Sequence, residues 1–215
     1  MACCRSGHNF IHEQLKSWDV DKQLLIYNCE DMLPANYEKE KYAIVASGQR
    51  IDTQLETIKI IVVRDLLNWW ASYLKWGQKT PFMLASEKLR YAFTIWNAQV
   101  LEAFLGRFMH FPTPCEYDVF KTSRYYRNAL CQSIGGLFYN EKQLDFVPSS
   151  GGGSSFSGTS IKGSELETAY RYKQILDTPL RDAYVRGLRD NALSLGVYKR
   201  FFTLTDEQKE FISTL

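Results

Sequence analysis

A short turn near the start of the chain carries residue types that can hold an anion. It lies between a strand predicted at residues 2–4 and a helix predicted to begin near residue 9. A glycine in such a turn lets the backbone bend tightly, and the first amides of the following helix point toward whatever the turn encloses. The guanidinium of the first residue adds a full positive charge. The residues of this turn are Arg5, Ser6, Gly7, His8, Asn9 and Phe10.

Arg64 and Ser72 form a second candidate anion site. Arg64 follows residues 58–63, a run that is β-branched almost throughout and predicts a buried strand. Ligands of open α/β folds bind at the carboxyl ends of the strands, which is where this arginine is expected. Ser72 comes eight positions later, two turns into the next predicted helix, and could reach the same anion. Taken alone, Arg64 and Asp65 could equally form a structural ion pair.

The first turn lacks the phosphate-binding pattern of a nucleoside triphosphatase. That class uses G-x-x-x-x-G-K-S/T, in which the lysine contacts the terminal phosphates and the hydroxyl binds magnesium. The turn at residues 5–10 has neither residue at these positions. The sequence therefore predicts a phosphate-binding turn without a metal ligand, which suits a donor whose transferred group needs no divalent ion.

Together the two segments resemble the sulfotransferases that use 3′-phosphoadenosine-5′-phosphosulfate (PAPS). In that family a loop of Lys/Arg-Ser-Gly-Thr, a small polar residue and an aromatic holds the 5′-phosphosulfate; residues 5–10 match it, except that His8 replaces the usual threonine. A later strand ends in Arg-Asp, and its arginine and a serine eight positions on hold the 3′-phosphate, as Arg64 and Ser72 would. The resemblance implies an α/β, three-layer P-loop-like fold with a central parallel sheet flanked by helices. It also implies PAPS as donor substrate and no metal.

Weaker similarities to the family continue along the chain. Residues 116–118, Glu-Tyr-Asp, are similar to its Tyr-Glu-Asp segment in a different order. Residues 151–156 fall where the family has a loop that closes over the 3′-phosphate. By composition, residues 148–164 are a Gly/Ser-rich interruption, so a passive linker and a lid that orders on the phosphate both remain open. The candidate ligand contacts in this segment are Gly152, Gly153, Ser154 and Ser155.

An acceptor hydroxyl needs a general base to take its proton. The family uses either a histidine after the third strand or a glutamate after the second. No histidine follows the predicted third strand, residues 42–46, whereas Glu30 and Asp31 follow the predicted second strand, residues 23–27. The resemblance makes Glu30 the predicted base with Asp31 in reserve, and Arg5 the cation that stabilises charge on the departing phosphate oxygen. Both carboxylates could instead cap the next turn.

The elements that must position these residues alternate in the first third of the chain, as parallel strands joined by crossovers do. Strands are predicted at residues 2–4, 23–27, 42–46 and 58–63, with a short one at 115–119. Helices are predicted from residue 9, directly after residue 63, at 85–108, 124–137, 165–176 and 179–195, and after a capping box at 205–208.

Bulk composition restricts the class of protein. The chain has 215 residues, 45% of them hydrophobic, so one domain over residues 1–215 is expected. Lys and Arg number 26 against 24 Asp and Glu, and the net charge of +2 offers no broad surface for nucleic acid or an anionic membrane. The start of the chain does not have the pattern of a signal peptide, no apolar run could span a bilayer, and the five cysteines lack zinc-site spacing. We therefore expect a cytoplasmic protein with reduced thiols.

Two other functions remain open. One is a degenerate P-loop kinase, which would need an acidic magnesium ligand after a strand and a lysine near the phosphates. The other is a non-catalytic nucleotide-binding module that has no base. For the sulfotransferase, the expected partners are PAPS, its product adenosine 3′,5′-bisphosphate (PAP), and a small-molecule or carbohydrate acceptor, because aromatic side chains suit a sugar ring and a phenol equally.

Overall fold

The computed structural model describes most of the chain from residue 60 onward and isolated parts before it. The described residues are 11, 14, 42–44, 50–52, 60–79, 84–106, 113–133, 139–145, 162–165 and 167–215. The strands predicted at residues 2–4 and 23–27 lie outside them. Ile11 and Gln14 are helical and buried, in agreement with a helix that begins near residue 9.

A hairpin forms where the third strand of the parallel series was predicted. β1, Tyr42–Ile44, pairs antiparallel with β2, Arg50–Asp52, and Ala43 lies opposite Ile51. The predicted strand is therefore present, but the expectation that it pairs in parallel is wrong for its described partner. Residues 45–49 are too few for a crossover between parallel strands, which needs about a dozen residues, whereas they suffice for a hairpin loop.

A small parallel sheet places two strand ends side by side. β3, Ile60–Val63, pairs in parallel with β4, Thr113–Glu116, with Ile60 opposite Thr113 and Val63 opposite Glu116. Every residue of β3 is β-branched, which favours extended backbone. The aligned register makes the chain leave both strands at the same edge of the sheet.

Two long helices follow β3. α1, Leu66–Gly77, begins directly after the strand, with Asp65 as its N-cap, and α2 spans Ser86–Leu105. α2 ends where Gly106 adopts the left-handed conformation at φ 58°, which glycine takes without strain. Both helices were predicted. α2 ends at Leu105, three residues before the end predicted from the sequence.

The segment after β4 differs from the prediction. The strand expected at residues 115–119 ends at Glu116, and α3, Tyr117–Thr122, begins at once. α4 follows at Arg124–Ser133, which is the start of the helix predicted at residues 124–137. A 3₁₀ helix then spans Glu141–Asp145.

The C-terminal part is helical, but it is divided differently from the prediction. A 3₁₀ helix at Gly163–Glu165 and α5, Arg171–Leu176, replace the helix predicted at residues 165–176. The helix predicted at 179–195 is two helices, α6 at Arg181–Arg189 and α7 at Ala192–Phe201. α8, Asp206–Ser213, has the predicted capping box between Thr205 and Gln208.

Successive side chains of β3 enter two different hydrophobic clusters. Ile61 and Val63 pack with α1, α2 and the C-terminal helices, whereas Val62 packs with α3 and α4 through Phe120 and Leu130. Helices therefore lie on both faces of this strand, as expected for a buried parallel strand. The described residues are thus mostly helical with a small parallel sheet, an α/β arrangement. None of the helices they form is long and apolar enough to cross a membrane.

Three tryptophans occupy the larger cluster. Trp69, Trp70 and Trp96 are each at most 1% exposed. The indole of Trp70 donates to the carbonyl oxygen of Tyr184 at 3.0 Å, which joins α1 to α6. Trp69 lies edge-on to Phe93 of α2, with ring centres 5.3 Å apart. These residues are core side chains rather than the wall of an open pocket.

Candidate functional site

Arg64, directly after β3, is almost completely buried at 1% exposure. Its Nη1 donates to the hydroxyl oxygen of Ser72 at 2.9 Å, and its Nη2 donates to the carbonyl oxygen of Thr168 at 2.9 Å. Its Nε donates to Oδ2 of Asp118 at 3.3 Å. The guanidinium carbon lies 5.1 Å from the centre of the Tyr117 ring. Because all three nitrogens have acceptors, the planar side chain is fixed in one orientation.

The register of the parallel sheet explains this arrangement. Val63 and Glu116 are paired, so Arg64 and Asp118 leave the two strands at neighbouring points on one edge. The ion pair that forms is therefore between Arg64 and Asp118, not with the sequence neighbour Asp65. The Glu-Tyr-Asp segment that resembles a family motif thus lies beside Arg64.

The hydroxyl oxygen of Ser72 lies between two guanidiniums. Nη1 of Arg171, the first residue of α5, donates to it at 2.9 Å, the same distance as Nη1 of Arg64. The hydroxyl donates its own hydrogen to the carbonyl oxygen of Asn68, one turn earlier in α1, at 2.8 Å. Its one hydrogen and two lone pairs are all in use. Two guanidiniums therefore converge on one buried oxygen, and a negatively charged acceptor at that point would accept a charge-assisted hydrogen bond from each.

The side chain of Asn68 binds the backbone on both sides of Arg171. Its Nδ2 donates to the carbonyl oxygen of Ala169 at 3.0 Å, and its Oδ1 accepts from the backbone amide of Tyr172 at 3.2 Å. Asn68 and Ser72 are four residues apart, so they lie on the same face of α1. This face therefore fixes residues 168–172 against the sheet edge.

Two carboxyl groups at this edge have a raised pKa. Burial, followed by the charge of Asp118, raises the pKa of Asp65 well above its usual value. Asp65 accepts from the backbone amide of Asn68 at 3.0 Å and from the hydroxyl of Tyr198 at 3.3 Å. The same two causes raise the pKa of Glu116. A raised pKa means that each of these groups keeps its proton to a higher pH than an exposed carboxyl group does.

The structure describes two of the residues predicted to bind the donor, Arg64 and Ser72, and places them in direct contact. Their role in binding stays a prediction. The predicted base Glu30 and its reserve Asp31 lie outside the described residues. So do the remaining predicted ligand contacts, Arg5, Ser6, Gly7, His8, Asn9, Phe10, Gly152, Gly153, Ser154 and Ser155.

Sequence reasoning missed three members of this cluster. Arg171, Thr168 and Asn68 were assigned no role, although each contacts Arg64, Ser72 or the chain that binds them. The only local signal for Arg171 was a basic residue shortly after the Gly/Ser-rich segment. Asp118 was noted only through the weak Glu-Tyr-Asp similarity.

Comparison with known proteins leaves the family open. No family model matches the chain, and neither curated proteins nor solved structures show a significant similarity to it. Function must therefore be inferred from the chemistry around Arg64 and Ser72.

Proposed function

We propose that the protein is a PAPS-dependent sulfotransferase that transfers a sulfuryl group to a hydroxyl or amine of an acceptor. The proposal depends on one observation, the contact of 2.9 Å between Arg64 Nη1 and Ser72 Oγ at the carboxyl end of β3. These are the two residues that the family resemblance assigns to the 3′-phosphate. The proposal includes a three-layer P-loop-like fold, in which β3 and β4 would belong to a larger parallel sheet.

The chemistry of the cluster suits a phosphate monoester. A phosphate dianion presents several strong acceptor oxygens and is bound best by charge-assisted donors. Arg64 and Arg171 provide two guanidiniums, and Ser72 provides a hydroxyl between them. Their burial strengthens each interaction, because water does not screen it. Arg171 adds a second guanidinium to the predicted 3′-phosphate site of Arg64 and Ser72.

Binding requires a local exchange of hydrogen-bond partners. Ser72 Oγ is now the acceptor for both arginines and donates to Asn68. A phosphate oxygen would replace it as acceptor, and its hydrogen would turn from the Asn68 carbonyl toward the phosphate. Hydrogen bonds to an ionised acceptor are roughly twice as strong as neutral ones, so this exchange favours the bound state.

The reacting half of the proposal concerns residues outside the described part of the chain. Residues 5–10 would hold the phosphosulfate, and Gly152, Gly153, Ser154 and Ser155 would close over the 3′-phosphate. An acceptor oxygen or nitrogen attacks the sulfur in line, and the bond between sulfur and the bridging phosphate oxygen breaks. Glu30 accepts the acceptor's proton, while Arg5 stabilises the negative charge that develops on the departing oxygen. The products are PAP and the sulfated acceptor.

Calorimetry with two nucleotides tests the proposed ligand. The protein is titrated with PAP and, separately, with ATP plus magnesium. We expect PAP to bind much more tightly, because only PAP carries a 3′-phosphate for Arg64 and Ser72. Tighter binding of the ATP complex would overturn the proposal in favour of a P-loop kinase.

A turnover experiment separates an enzyme from a binding module. Radiolabelled PAPS is incubated with a panel of phenols, amines and sugars, and label transfer is measured. Transfer is expected, and Glu30→Gln should abolish it while leaving PAP affinity nearly unchanged. Asp31→Asn is the matched control and should retain turnover. If wild-type protein binds PAP but transfers label to none of these acceptors, the protein is a non-catalytic nucleotide-binding module.

A further inference from the structure

Lys121 of α3 binds the end of the Gly/Ser-rich segment, residues 148–164. Its Nζ donates to the carbonyl oxygen of Gly163, and the residue is only 9% exposed. Gly163 is itself buried and begins the 3₁₀ helix Gly163–Glu165. The next residue, Ser164, donates its hydroxyl to Asp145. The position of this short helix is thus fixed from two sides.

Lys121 is also a neighbour of the cluster around Arg64. It lies one helical turn after Asp118 on α3, so the two side chains share one face of the helix. Asp118 accepts from Arg64, and Arg64 donates to Thr168, five residues beyond Gly163. The segment that Lys121 binds at Gly163 thus also contacts the cluster. Thr168 accepts from Arg64, and Arg171 donates to Ser72.

Charged groups from four elements surround Lys121. Arg127 of α4 and Arg171 of α5 oppose its charge, whereas Asp145 of the 3₁₀ helix and Asp118 of α3 support it. Burial is the largest effect, the two arginines add to it, and together they lower the pKa of Lys121 to about 8. A further anion nearby would raise this pKa and so favour the charged lysine.

We infer that Lys121 is a third cationic residue of the site formed by Arg64, Ser72 and Arg171, and that it takes up a proton when a phosphate dianion binds there. The inference rests on the proposed function for the identity of that dianion, the 3′-phosphate of PAP or PAPS. Arginine side chains in general do not lose their proton in proteins, whereas lysine side chains can. Lys121 therefore supplies the part of the positive charge that depends on pH, and it makes nucleotide affinity proton-linked.

Calorimetry with PAP between pH 7.5 and pH 9.5 tests this inference. Above pH 7.5 the phosphate is already a dianion, since its second pKa is about 6. We expect wild-type affinity to fall with rising pH, by up to about ten-fold per pH unit for one linked proton. Near pH 8.5, titrations in two buffers with different ionisation enthalpies should show uptake of part of a proton per PAP bound.

Lys121→Arg removes the titration and keeps the charge. This variant should bind PAP with no such pH dependence and no proton uptake. Lys209→Arg is the matched control, because Lys209 is an exposed lysine of α8 paired with Asp206 at 2.8 Å, and it should behave as wild type. If Lys121→Arg does not fold, Lys121→Gln serves instead: it should bind PAP about ten-fold more weakly at pH 7.5 and also lose the pH dependence.

The outcomes separate this inference from the function on which it rests. Unchanged pH dependence and proton uptake in the Lys121 variants would overturn the role of Lys121 while the sulfotransferase proposal stands. Wild-type binding of PAP without pH dependence would do the same. Failure of wild-type protein to bind PAP at any pH would overturn both.

Discussion

Trp96 Nε1 donates a hydrogen bond to the backbone carbonyl oxygen of Arg64 at 3.0 Å. The bond connects α2 to the residue whose side chain contacts Ser72, Thr168 and Asp118. The backbone of Arg64 is thereby fixed by one helix, and its guanidinium is fixed by other elements. A donor that is already oriented loses little conformational entropy when it binds a ligand, so this arrangement favours tight binding.

Replacing Arg64 with lysine should weaken PAP binding about 10–100-fold, which corresponds to the loss of one strong hydrogen bond to a charged group. Lysine keeps the charge but cannot contact Ser72 and Thr168 with one planar group. Affinity is measured by calorimetry. Arg189→Lys is the control, because Arg189 ends α6, donates to the carbonyl oxygen of Leu215 at 2.7 Å and, among the described residues, has no hydrogen bond to the Arg64 cluster. It should keep PAP affinity, and an equal loss of affinity in both variants would contradict a specific role for Arg64.

Ser72→Ala should lower the free energy of unfolding by about 1–3 kcal/mol, because two buried guanidiniums lose a shared acceptor. Urea unfolding measures the change. Ser194→Ala is the control: Ser194 is equally buried, but among the described residues its hydroxyl has no hydrogen-bond partner. Removal of an unpaired buried hydroxyl should leave stability unchanged or raise it. Similar losses at the two positions would show that the hydrogen bonds to Ser72 contribute little.

Asp65→Asn should change how stability depends on pH. The folded-state pKa of Asp65 is raised, so its stabilising contribution is complete below the usual value of 3.8 and is lost as pH rises toward the folded-state pKa. The free-energy difference between wild type and Asp65→Asn should therefore decrease from pH 4 to pH 7 in urea titrations. Asp206 has its pKa lowered by the hydrogen bond with Lys209, so Asp206→Asn should give the opposite slope at acid pH. Slopes of the same sign would contradict the assignment for Asp65.

Gly187→Ala should destabilise the protein by about 1–3 kcal/mol through overpacking. A Cβ atom at Gly187 would lie 2.4 Å from Cζ2 of Trp70, whose ring is buried and hydrogen-bonded to Tyr184. At Gly196 of α7 nothing lies within 4 Å of such an atom, so Gly196→Ala should stabilise by about 0.5–1 kcal/mol through helix propensity. Thermal unfolding distinguishes the two. A gain at both positions would show that Trp70 moves aside easily.

Local signals in the sequence were sufficient to predict the first part of the site. The β-branched run of β3 predicts a strand, and the apolar residues after Asp65 predict α1. Once the strand and the helix are placed, the spacing of eight residues brings Ser72 close to Arg64. The role of this pair in binding stays a prediction, as do all roles assigned to residues outside the described part of the chain.

Tertiary contacts explain the places where the sequence prediction was wrong. A helix was predicted from residue 165, but the carbonyl oxygens of Thr168 and Ala169 accept hydrogen bonds from Arg64 and Asn68, and the helix begins only at Arg171. The break between α6 and α7 occurs at Asn191, whose φ of −120° and ψ of 54° are not helical. Arg171 could not be placed beside Ser72 from the sequence, because no local pattern relates positions 99 residues apart.

The large sequence separation of these contacts determines when the cluster can form during translation. Arg64 and Thr168 are 104 residues apart, and Asn68 and Ala169 are 101 apart. A nascent chain that ends before residue 168 has the sequence of β3 and α1 but lacks the carbonyl oxygen that Arg64 Nη2 binds. Closure of so long a loop costs entropy that only later packing can offset. We therefore expect the complete cluster to form late, only after residues 168–172 have been synthesised and can pack against α1.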